Sequence, residues 1–577
     1  MEVDNQPTAD GHSSSSSGIV LDLTSEDIKI LQALPLAEGR QWMLASVAYH
    51  REYARMLCSM YNATAAIHRY LPPELLMEIF GRIHPEGFEE LRLLGVSRVW
   101  RDLLLRTAEF WVDMLRNTFP PPKHLNSATG DSRFDSQSGW YRCLKVSLER
   151  SSPRDISLAF SDFPELAGKT LSPHSQRIAS LSVQLHPQNA THLFCLLRSG
   201  MPRLQTLAVS HISSRDAGTR ELGGGALPQM PQGFETTDLP SLRDLRIPSV
   251  LLTSITVGNL RSLILGCDSC NLCPDARRPT LDDILSFLRR CPSLTNLRLL
   301  KTSEPSSSRR FTEQGPVSLG QLRELIFEDT SASWTSDILR CLALPFQTVV
   351  RFRNPNIQRI PQRIKTLPAV HASDRFALEF RKDGRGPLIC EADVAIGDTS
   401  FVNVQVGVEL RNPGDNETVR TVPSVFGSVS VKQLRVWIPT SSFRINKTHT
   451  IELLAGFPSI TRLTWKRQIP SDLCQALMTL TSAGAPICAG LEQLIVHWRL
   501  ASLSDQTIFR ATCTLISSML EQRASLGCRM RKFVLKCEGL RRVSPRFDTE
   551  GEKHRLVQTW STLVDEVAVT LRLDTAD

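Results

Sequence analysis

A short apolar pattern that recurs along the chain limits its possible folds more than any other feature of the sequence. The unit reads apolar-x-x-apolar-x-apolar, and several copies follow a Pro-x-Leu or Pro-x-Ile opening. The copies are Ile178-Leu181-Val183, Leu204-Leu207-Val209, Leu242-Leu245-Ile247, Leu260-Leu263-Leu265, Leu294-Leu297-Leu299, Leu322-Leu325-Phe327, Val431-Leu434-Val436, Ile460-Leu463-Trp465, Leu491-Leu494-Val496 and Met530-Phe533-Leu535. So many copies in one 577-residue chain predict a repeat architecture.

The spacing within each copy predicts one short strand, because alternate side chains of a strand point to the same face. Amphipathic helices are predicted between the copies at residues 281–290, 473–480 and 508–523. Stacked units of this kind form a parallel sheet and resemble a leucine-rich-repeat solenoid. The spacing is irregular and the usual Asn or Cys after the strand is missing, so a distorted horseshoe with insertions is expected. An ordinary α/β domain with leucine-rich strands is the alternative.

Residues 345–423 fit the repeat least well. Within them, the motif Phe401-Val402-Asn403-Val404-Gln405-Val406-Gly407-Val408 alternates in the manner of a half-buried strand. The sequence leaves two interpretations of this segment, which is either a degenerate repeat or an inserted β element.

The first quarter of the chain has a helical pattern instead. Residues 25–68 carry apolar side chains at turn-like spacing behind a Ser25-Glu26-Asp27 cap. They lead to the motif Leu71-Pro72-Pro73-Glu74-Leu75-Leu76-Met77-Glu78-Ile79-Phe80, whose proline and acidic residue suit the first turn of a helix. The apolar residues that follow form a broad stripe on this helix.

A second apolar helix is predicted from about residue 91 to residue 105, after a His84-Pro85-Glu86-Gly87 turn. It contains the motif Val96-Ser97-Arg98-Val99-Trp100-Arg101-Asp102-Leu103, and Phe110-Trp111 follow it. In order and spacing, these motifs and the preceding Leu-Pro-Pro-Glu helix resemble an F-box over roughly residues 71–111. Ser97 and Val99 depart from the family, which often has a Cys and a basic residue there. The alternative is a helical hairpin that only packs on the rest of the protein.

The resemblance implies a helical hook that binds the small Skp adaptor, which binds a cullin and so brings a ubiquitin-charged conjugating enzyme near the target. The F-box protein itself would not be an enzyme and would carry no cofactor. The residues that the resemblance implies as adaptor-facing or as hook core are Leu71, Pro72, Leu75, Leu76, Ile79, Phe80, Val96, Trp100 and Trp111. The sequence does not separate these two classes.

Two further motifs, Ile67-His68-Arg69-Tyr70 and Leu148-Glu149-Arg150-Ser151, resemble the expanded F-box families of mushroom-forming fungi when taken with the degenerate repeats. That resemblance implies that the repeats bind a protein target. The expected organisation is a disordered tail (1–24), a helical region (25–68), the F-box (69–115), a linker (116–139) and the repeat array (140–577). The implied function is substrate recognition in an SCF-type E3 ubiquitin ligase. A repeat scaffold for protein–protein interaction with no ubiquitin role is the alternative.

Composition and charge favour no other class of partner. The net charge of +8 is spread along the chain, so no nucleic-acid partner is expected. No stretch approaches the ~18 consecutive apolar residues of a membrane span, so we expect no membrane partner and a location in the cytoplasm, the nucleus or both.

One cysteine cluster has spacing that could serve a metal. The motif Cys267-Asp268-Ser269-Cys270-Asn271-Leu272-Cys273, with Cys291 further on, could converge on zinc or an iron-sulfur cluster. No separate second Cys-x-x-Cys pair accompanies it, so we expect buried and loop thiols and no bound metal. Gly223-Gly224-Gly225 lacks a following Lys-Ser or Lys-Thr, so we expect no phosphate-binding loop.

Overall fold

The structure is a computed structural model of the 577-residue chain. It describes residues 24–64, 70–85, 88–118, 133–161, 163–185, 189–211, 237–266, 279–300, 315–354, 361–382, 388–396, 399–408, 417–427, 431–438, 445–466, 470–499, 505–538 and 548–572. The chain divides into two compact units, Met1–Phe110 and Trp111–Asp577. The first is helical over its described residues, and the second contains a large, mostly parallel sheet that does not close into a barrel. The predicted α/β class and N-terminal helical region are therefore confirmed.

The helical unit contains α1 Ser25–Ala33, α2 Leu36–Ala63, α3 Pro73–Gly81, the 3-10 helix Phe88–Gly95 and α4 Arg98–Arg106. At the start of α1, the Thr24 hydroxyl accepts a hydrogen bond from the backbone N–H of Asp27 (3.2 Å). The Asp27 carboxylate accepts one in return from the backbone N–H of Thr24 (3.1 Å). This reciprocal pair is a capping box, which stabilises the first turn of the helix.

The segment before α4 corrects the prediction of a single apolar helix over residues 91–105. A 3-10 helix ends at Gly95, and α4 begins at Arg98. Between them, Ser97 has an extended backbone, and its hydroxyl accepts a hydrogen bond from the backbone N–H of Trp100 (3.1 Å). A serine in this conformation stabilises a new helix start, so the chain turns here instead of continuing as one helix.

The sheet of the second unit contains sixteen strands in the described residues. The strands are β1 Ile156–Phe160, β2 Ile178–Leu185, β3 Thr206–His211, β4 Asp244–Ile247, β5 Ser262–Leu265, β6 Asn296–Leu300, β7 Glu324–Glu328, β8 Val349–Asn354, β9 Arg375–Lys382, β10 Leu388–Ile396, β11 Thr399–Val408, β12 Gln433–Trp437, β13 Arg462–Lys466, β14 Gln493–Arg499, β15 Lys532–Glu538 and β16 Glu566–Arg572. Their order in the sheet is β1-β2-β3-β4-β5-β6-β7-β8-β11-β10-β9-β12-β13-β14-β15-β16. Two pairs of two-residue strands lie outside it, Thr237–Asp238 with Ile255–Thr256 and Val317–Ser318 with Leu342–Ala343.

Two runs of the sheet, β1–β8 and β12–β16, are parallel and pair in the order of the sequence. The repeat copies fall on β2–β7 and β12–β15. Their central apolar residues lie in register, as Leu207 does with Leu245 and Leu245 with Leu263. The parallel strands predicted from the repeat are thus present where the sequence places them.

Three strands interrupt this order between β8 and β12. β11 pairs in parallel with β8, and β9 pairs in parallel with β12. β10 lies between β9 and β11 and is antiparallel to both. Residues 401–408, whose alternation predicted a strand, lie in β11. The two antiparallel pairings of β10 reverse the strand direction twice. β12 therefore runs in the same direction as β8.

Helices and one face of the sheet share the core of the second unit. The helices are α5 Ala108–Thr118, which spans the boundary between the units, α6 Arg133–Arg150, α7 Glu165–Leu171, α8 Ala190–Arg198, α9 Leu281–Arg289, α10 Ala332–Cys341, α11 Pro368–His371, α12 Glu417–Phe426, α13 Lys447–Ala455, α14 Ser471–Met478, α15 Asp505–Ser525 and α16 Thr549–Ser561. In β14, Leu494, Val496 and Trp498 are buried and the alternate residues are more exposed. The sheet therefore has one face packed into the core and one face that meets solvent.

Some regions of the predicted organisation are only partly described. Helical residues extend into both ends of the predicted linker, because α5 ends at Thr118 and α6 begins at Arg133. Residues 119–132 lie outside the described residues, as do residues 1–23 of the predicted tail. Among the helices that the structure describes, none has the length and apolarity that crossing a membrane requires.

A buried arginine fixes the turn before β14. Arg523 on α15 is 1% exposed, and its guanidinium donates hydrogen bonds to the carbonyls of Ile487 (3.0 Å) and Cys488 (2.7 Å). Cys488 has a positive φ of 53°, which L residues adopt only at an energetic cost. These two hydrogen bonds make the side chain a clamp between α15 and this turn. Burial lowers the pKa of Arg523, while the two carbonyls favour its charged form.

Candidate functional site

Helix α3 is the element in which most of the predicted docking residues lie. Pro72 precedes it and Pro73 occupies its first turn, where a missing backbone N–H leaves no intrahelical bond unmade. The carbonyl of Pro72 accepts hydrogen bonds from the backbone N–H groups of Leu75 (3.1 Å) and Leu76 (3.2 Å). The Leu-Pro-Pro-Glu sequence therefore sets the start of α3 and the direction in which each later side chain points.

One side of α3 packs into the helical unit. Leu76 and Phe80, four residues apart, are 2% and 1% exposed. The Phe80 ring meets the Trp100 ring of α4 edge to face, with 5.1 Å between the ring centroids. Such aromatic pairs stabilise packing beyond the area that they bury. Leu76 and Phe80 are therefore interior residues of this unit.

The other side of α3 leaves apolar side chains in solvent. Leu75 and Ile79, also four residues apart, are 47% and 46% exposed, and Pro72 lies exposed one turn before Leu75. We call Pro72, Leu75 and Ile79 the α3 apolar surface. An exposed ion pair borders it, in which Arg82 donates to the Glu78 carboxylate at 2.5 Å. Apolar side chains held in a row on one helix face mark surfaces at which proteins bind each other.

The remaining predicted residues divide in the same way. Val96 is exposed, Leu71 and Trp100 are half-buried, and Trp111 is buried in the second unit. The structure thus separates Pro72, Leu75, Ile79 and Val96, which a partner can reach, from the interior residues described above. Helical spacing alone placed Leu75, Leu76, Ile79 and Phe80 on one broad stripe, and only the packing of α4 against α3 divides it.

Sequence reasoning missed further exposed apolar residues of the helical unit. Val99, at the start of α4, is exposed although the sequence marked it only as a departure from the family. Along the 28-residue helix α2, large side chains such as Leu44 and Tyr61 are also exposed. The Asn62 side-chain amide near the end of α2 donates a hydrogen bond to the carbonyl of Val96. The turn-like spacing of apolar residues in α2 was visible in the sequence, but their exposure was not.

The solvent face of the sheet forms a second candidate surface, and it is polar. Arg298 on β6 donates to the Glu328 carboxylate on β7 through Nε (2.9 Å). Asn403 on β11 donates to Glu391 on β10 (2.6 Å). The Lys466 ammonium lies 5.5 Å from the centre of the Trp437 ring on the neighbouring strand. These contacts link adjacent strands on a polar surface.

The described residues offer no chemistry of a metal site, since they contain no cluster of three or more His, Cys, Asp or Glu side chains arranged to hold an ion. Cys291 is buried, and burial raises the pKa of its thiol to about 11, so it is protonated at neutral pH. A protonated thiol is a poor metal ligand. The other members of the predicted cluster, Cys267, Cys270 and Cys273, lie outside the described residues, as does Gly223-Gly224-Gly225.

Comparison of the chain with protein-family models and with curated proteins gives no match.

Proposed function

We propose that this chain is the non-catalytic substrate-recognition subunit of an SCF-type E3 ubiquitin ligase. In this proposal residues 69–115 are an F-box hook that binds the Skp adaptor and, through it, a cullin. The sheet unit is an irregular leucine-rich-repeat solenoid that binds a protein target. The protein belongs to the expanded F-box families of mushroom-forming fungi and acts in the cytoplasm, the nucleus or both.

The observation that carries the proposal is the exposure of Leu75 and Ile79 within a motif that resembles the opening helix of an F-box. Fully burying one Leu or Ile side chain contributes about 1.5–3 kcal/mol, and roughly half of that remains available at each of these two residues. A partner that covers the α3 apolar surface gains this free energy. The Glu78–Arg82 pair at its border favours a partner with a polar rim around an apolar centre.

The sheet unit supports the second half of the proposal. A parallel sheet with one face in the core presents its other face as a continuous surface several strands wide. Charged side chains on that face, such as Arg298 and Glu328, are held in place by partners on adjacent strands. A protein target meets an ordered array of charges there, which favours selection of one partner over another.

The test is co-purification of the full chain with the Skp adaptor. The variant Leu75→Asp/Ile79→Asp places two charges on the α3 apolar surface, and we expect it to lose adaptor binding because burying an unpaired carboxylate is costly. Leu166→Asp on α7 is the matched control, since Leu166 is 49% exposed and lies in the sheet unit. We expect the native chain and this control to retain the adaptor.

The opposite outcomes have equally clear meanings. If the native chain does not bind the adaptor, the ubiquitin role is wrong and a repeat scaffold for protein–protein interaction is the better account. If the double variant binds the adaptor as the native chain does, the α3 apolar surface is not the adaptor site. If Leu166→Asp loses binding as well, the loss comes from general misfolding.

A further inference from the structure

The openings of the repeats, just before the strands, build a continuous edge of the sheet. Leu242 lies two residues before β4 and is buried. Ser241 and Arg243, on either side of it, point away from the core. The same arrangement recurs before β3, β5, β6 and β7, because each opening has a buried leucine at this position. The residues one and three positions before these five strands therefore line the same edge.

Backbone hydrogen bonds hold these openings in register. The N–H of Arg261 donates to the carbonyl of Arg243 (2.7 Å), and the N–H of Thr295 donates to the carbonyl of Arg261 (2.8 Å). The N–H of Arg323 donates in the same way to the carbonyl of Thr295 (2.8 Å). The side chains of this edge thus start from a rigid backbone, one strand spacing apart.

The edge contains a groove with a volume of about 840 Å³, which we call the arginine groove. Four arginines line it, Arg203, Arg243, Arg261 and Arg323, and all four are exposed. Asp155 is the acidic residue of its lining, and it pairs with Arg203 (2.6 Å). Among the described residues no ion pair engages the other three arginines.

The spacing of these arginines indicates what the groove accepts. Neighbouring strands lie about 4.8 Å apart, so the groove crosses roughly 19 Å from β3 to β7. An extended peptide rises about 3.3 Å per residue, so roughly six residues span that distance. The positive charges are spread along the row instead of converging on one point, which suits several single negative charges better than one dianion.

We propose that the arginine groove binds an acidic, carboxylate-rich segment of a target protein in extended conformation. Arg243, Arg261 and Arg323 donate charge-assisted hydrogen bonds to successive Asp or Glu side chains of that segment. No aromatic residue lines the groove, so it lacks the stacking platform that single-stranded nucleic acid requires. The identification of the bound segment as part of a ligase target rests on the proposed function, whereas the binding chemistry does not.

The other end of the sheet provides a matched region. Arg531 occupies the same position before β15 that Arg261 occupies before β5. There, Arg529 pairs with Asp565 (3.1 Å) and Lys532 pairs with Glu566 (2.9 Å), so neighbouring acids balance the positive charge. Arg531→Ala is therefore a control that removes an arginine from an equivalent place outside the groove.

The experiment measures fluorescence anisotropy of a labelled peptide of about twelve residues, with Glu at alternate positions between Gly and Ser. We expect the full native chain to bind it and Arg243→Ala/Arg261→Ala to bind it at least about tenfold more weakly. Arg243→Lys/Arg261→Lys should retain part of the affinity because the charge remains. Arg531→Ala should bind as the native chain does, and all variants should retain the Skp adaptor.

Several outcomes would overturn the proposal. They are no binding by the native chain, an equal loss with Arg531→Ala, and preferential binding of a phosphoserine peptide or of single-stranded DNA over the glutamate peptide. Measuring adaptor binding in the same samples distinguishes a failure of the arginine-groove proposal from a failure of the proposed ligase function. A chain that binds the peptide but not the adaptor has a working groove without a ubiquitin role, and the reverse result leaves the ligase role without this groove.

Discussion

The helical unit and the sheet unit present opposite chemistry to solvent. In the helical unit, apolar side chains such as Leu44, Leu75 and Ile79 remain exposed. In the sheet unit, the leucines of the repeats are buried, and arginine, lysine and glutamate occupy the solvent face and the edge. The two units therefore suit different partners, one that covers apolar surface and one that matches charge.

A different physical force therefore dominates binding at each of the two surfaces. Burial of apolar area depends weakly on salt, whereas attraction between exposed charges is screened over about 10 Å at 0.1 M ionic strength. Substitutions, salt and pH should accordingly act on the two units in different ways.

The largest expected effect contrasts the two sides of α3. Phe80→Ala removes a buried ring that packs on Trp100, and we expect it to lower the free energy of unfolding by about 3–5 kcal/mol. Ile79→Ala, on the exposed side, should change it by less than about 1 kcal/mol. Chemical denaturation followed by tryptophan fluorescence measures both. Equal losses in the two variants would show that Ile79 is packed and that the α3 apolar surface does not exist.

The second effect concerns Arg523, which is buried in the sheet unit, unlike the arginines of the solvent face and the edge. Arg523→Met removes the side-chain donor from the carbonyls of Ile487 and Cys488, although Cys488 keeps the backbone N–H of Leu491 (2.9 Å). We expect a loss of about 1–3 kcal/mol in unfolding free energy. Arg531→Met, at an exposed position, should stay within about 0.5 kcal/mol of the native chain. The melting temperatures of the two variants are compared with that of the native chain. An unchanged melting temperature for Arg523→Met would show that Arg523 does not act as a clamp.

Salt should separate the two binding surfaces. Raising NaCl from about 50 mM to about 500 mM should weaken binding of the glutamate peptide to the arginine groove by about tenfold, because the screening length shortens severalfold. Adaptor binding through the α3 apolar surface should change by less than about twofold. Isothermal titration at the two salt concentrations provides the comparison. A parallel loss in both would mean that charge dominates at α3 as well.

The smallest effect is a dependence on pH that arises from the solvent face of the sheet. His497 on β14 lies in register with Lys466 and Lys536. Its pKa lies below the ordinary value of 6.5 because of partial burial first and then the charges of Lys536 and Lys466, with Glu538 acting in the opposite direction. The unfolded chain therefore takes up this proton more readily, and stability falls as the pH drops through the window below 6.5.

His497→Gln removes this contribution. We expect its melting temperature to fall slightly less than that of the native chain between pH 7.5 and pH 5.5, as measured by scanning calorimetry. A steeper fall in the variant would contradict the direction of the shift. His174, whose pKa is also lowered by burial and by Arg177, contributes equally to both proteins and cancels in the comparison.

Many strands of the sheet could be predicted because the residues that mark each of them are close together in the sequence. In the repeat copies, three apolar residues at fixed spacing mark a strand without reference to the rest of the chain, and their parallel pairing follows from their order. The strand β1 Ile156–Phe160 was missed because Asp155 stands three residues before Leu158, where the copies have their first apolar residue. The strands β9 and β10 lie in residues 345–423, which fit the repeat least well, so the repeat pattern did not predict them.

The docking surface was only half predictable. The spacing of Leu75, Leu76, Ile79 and Phe80 fixes their angles around α3, but it does not say on which side α4 packs. The break at Ser97 was hidden for a related reason, because apolar spacing continues through it while the hydroxyl caps the start of a new helix. The arginine groove, by contrast, could have been found by aligning the repeat openings and reading the residues on either side of the buried leucine.

The antiparallel insertion also sets the order in which the chain assembles during its synthesis. Strands β1 to β8 can each pair with the preceding one as they leave the ribosome, but the partner of β8 is β11, which ends at Val408. At about 5–20 residues per second, the free edge of β8 waits roughly 3–11 seconds for that partner. An unpaired strand edge invites aggregation, so the nascent chain is most in need of a chaperone at this point.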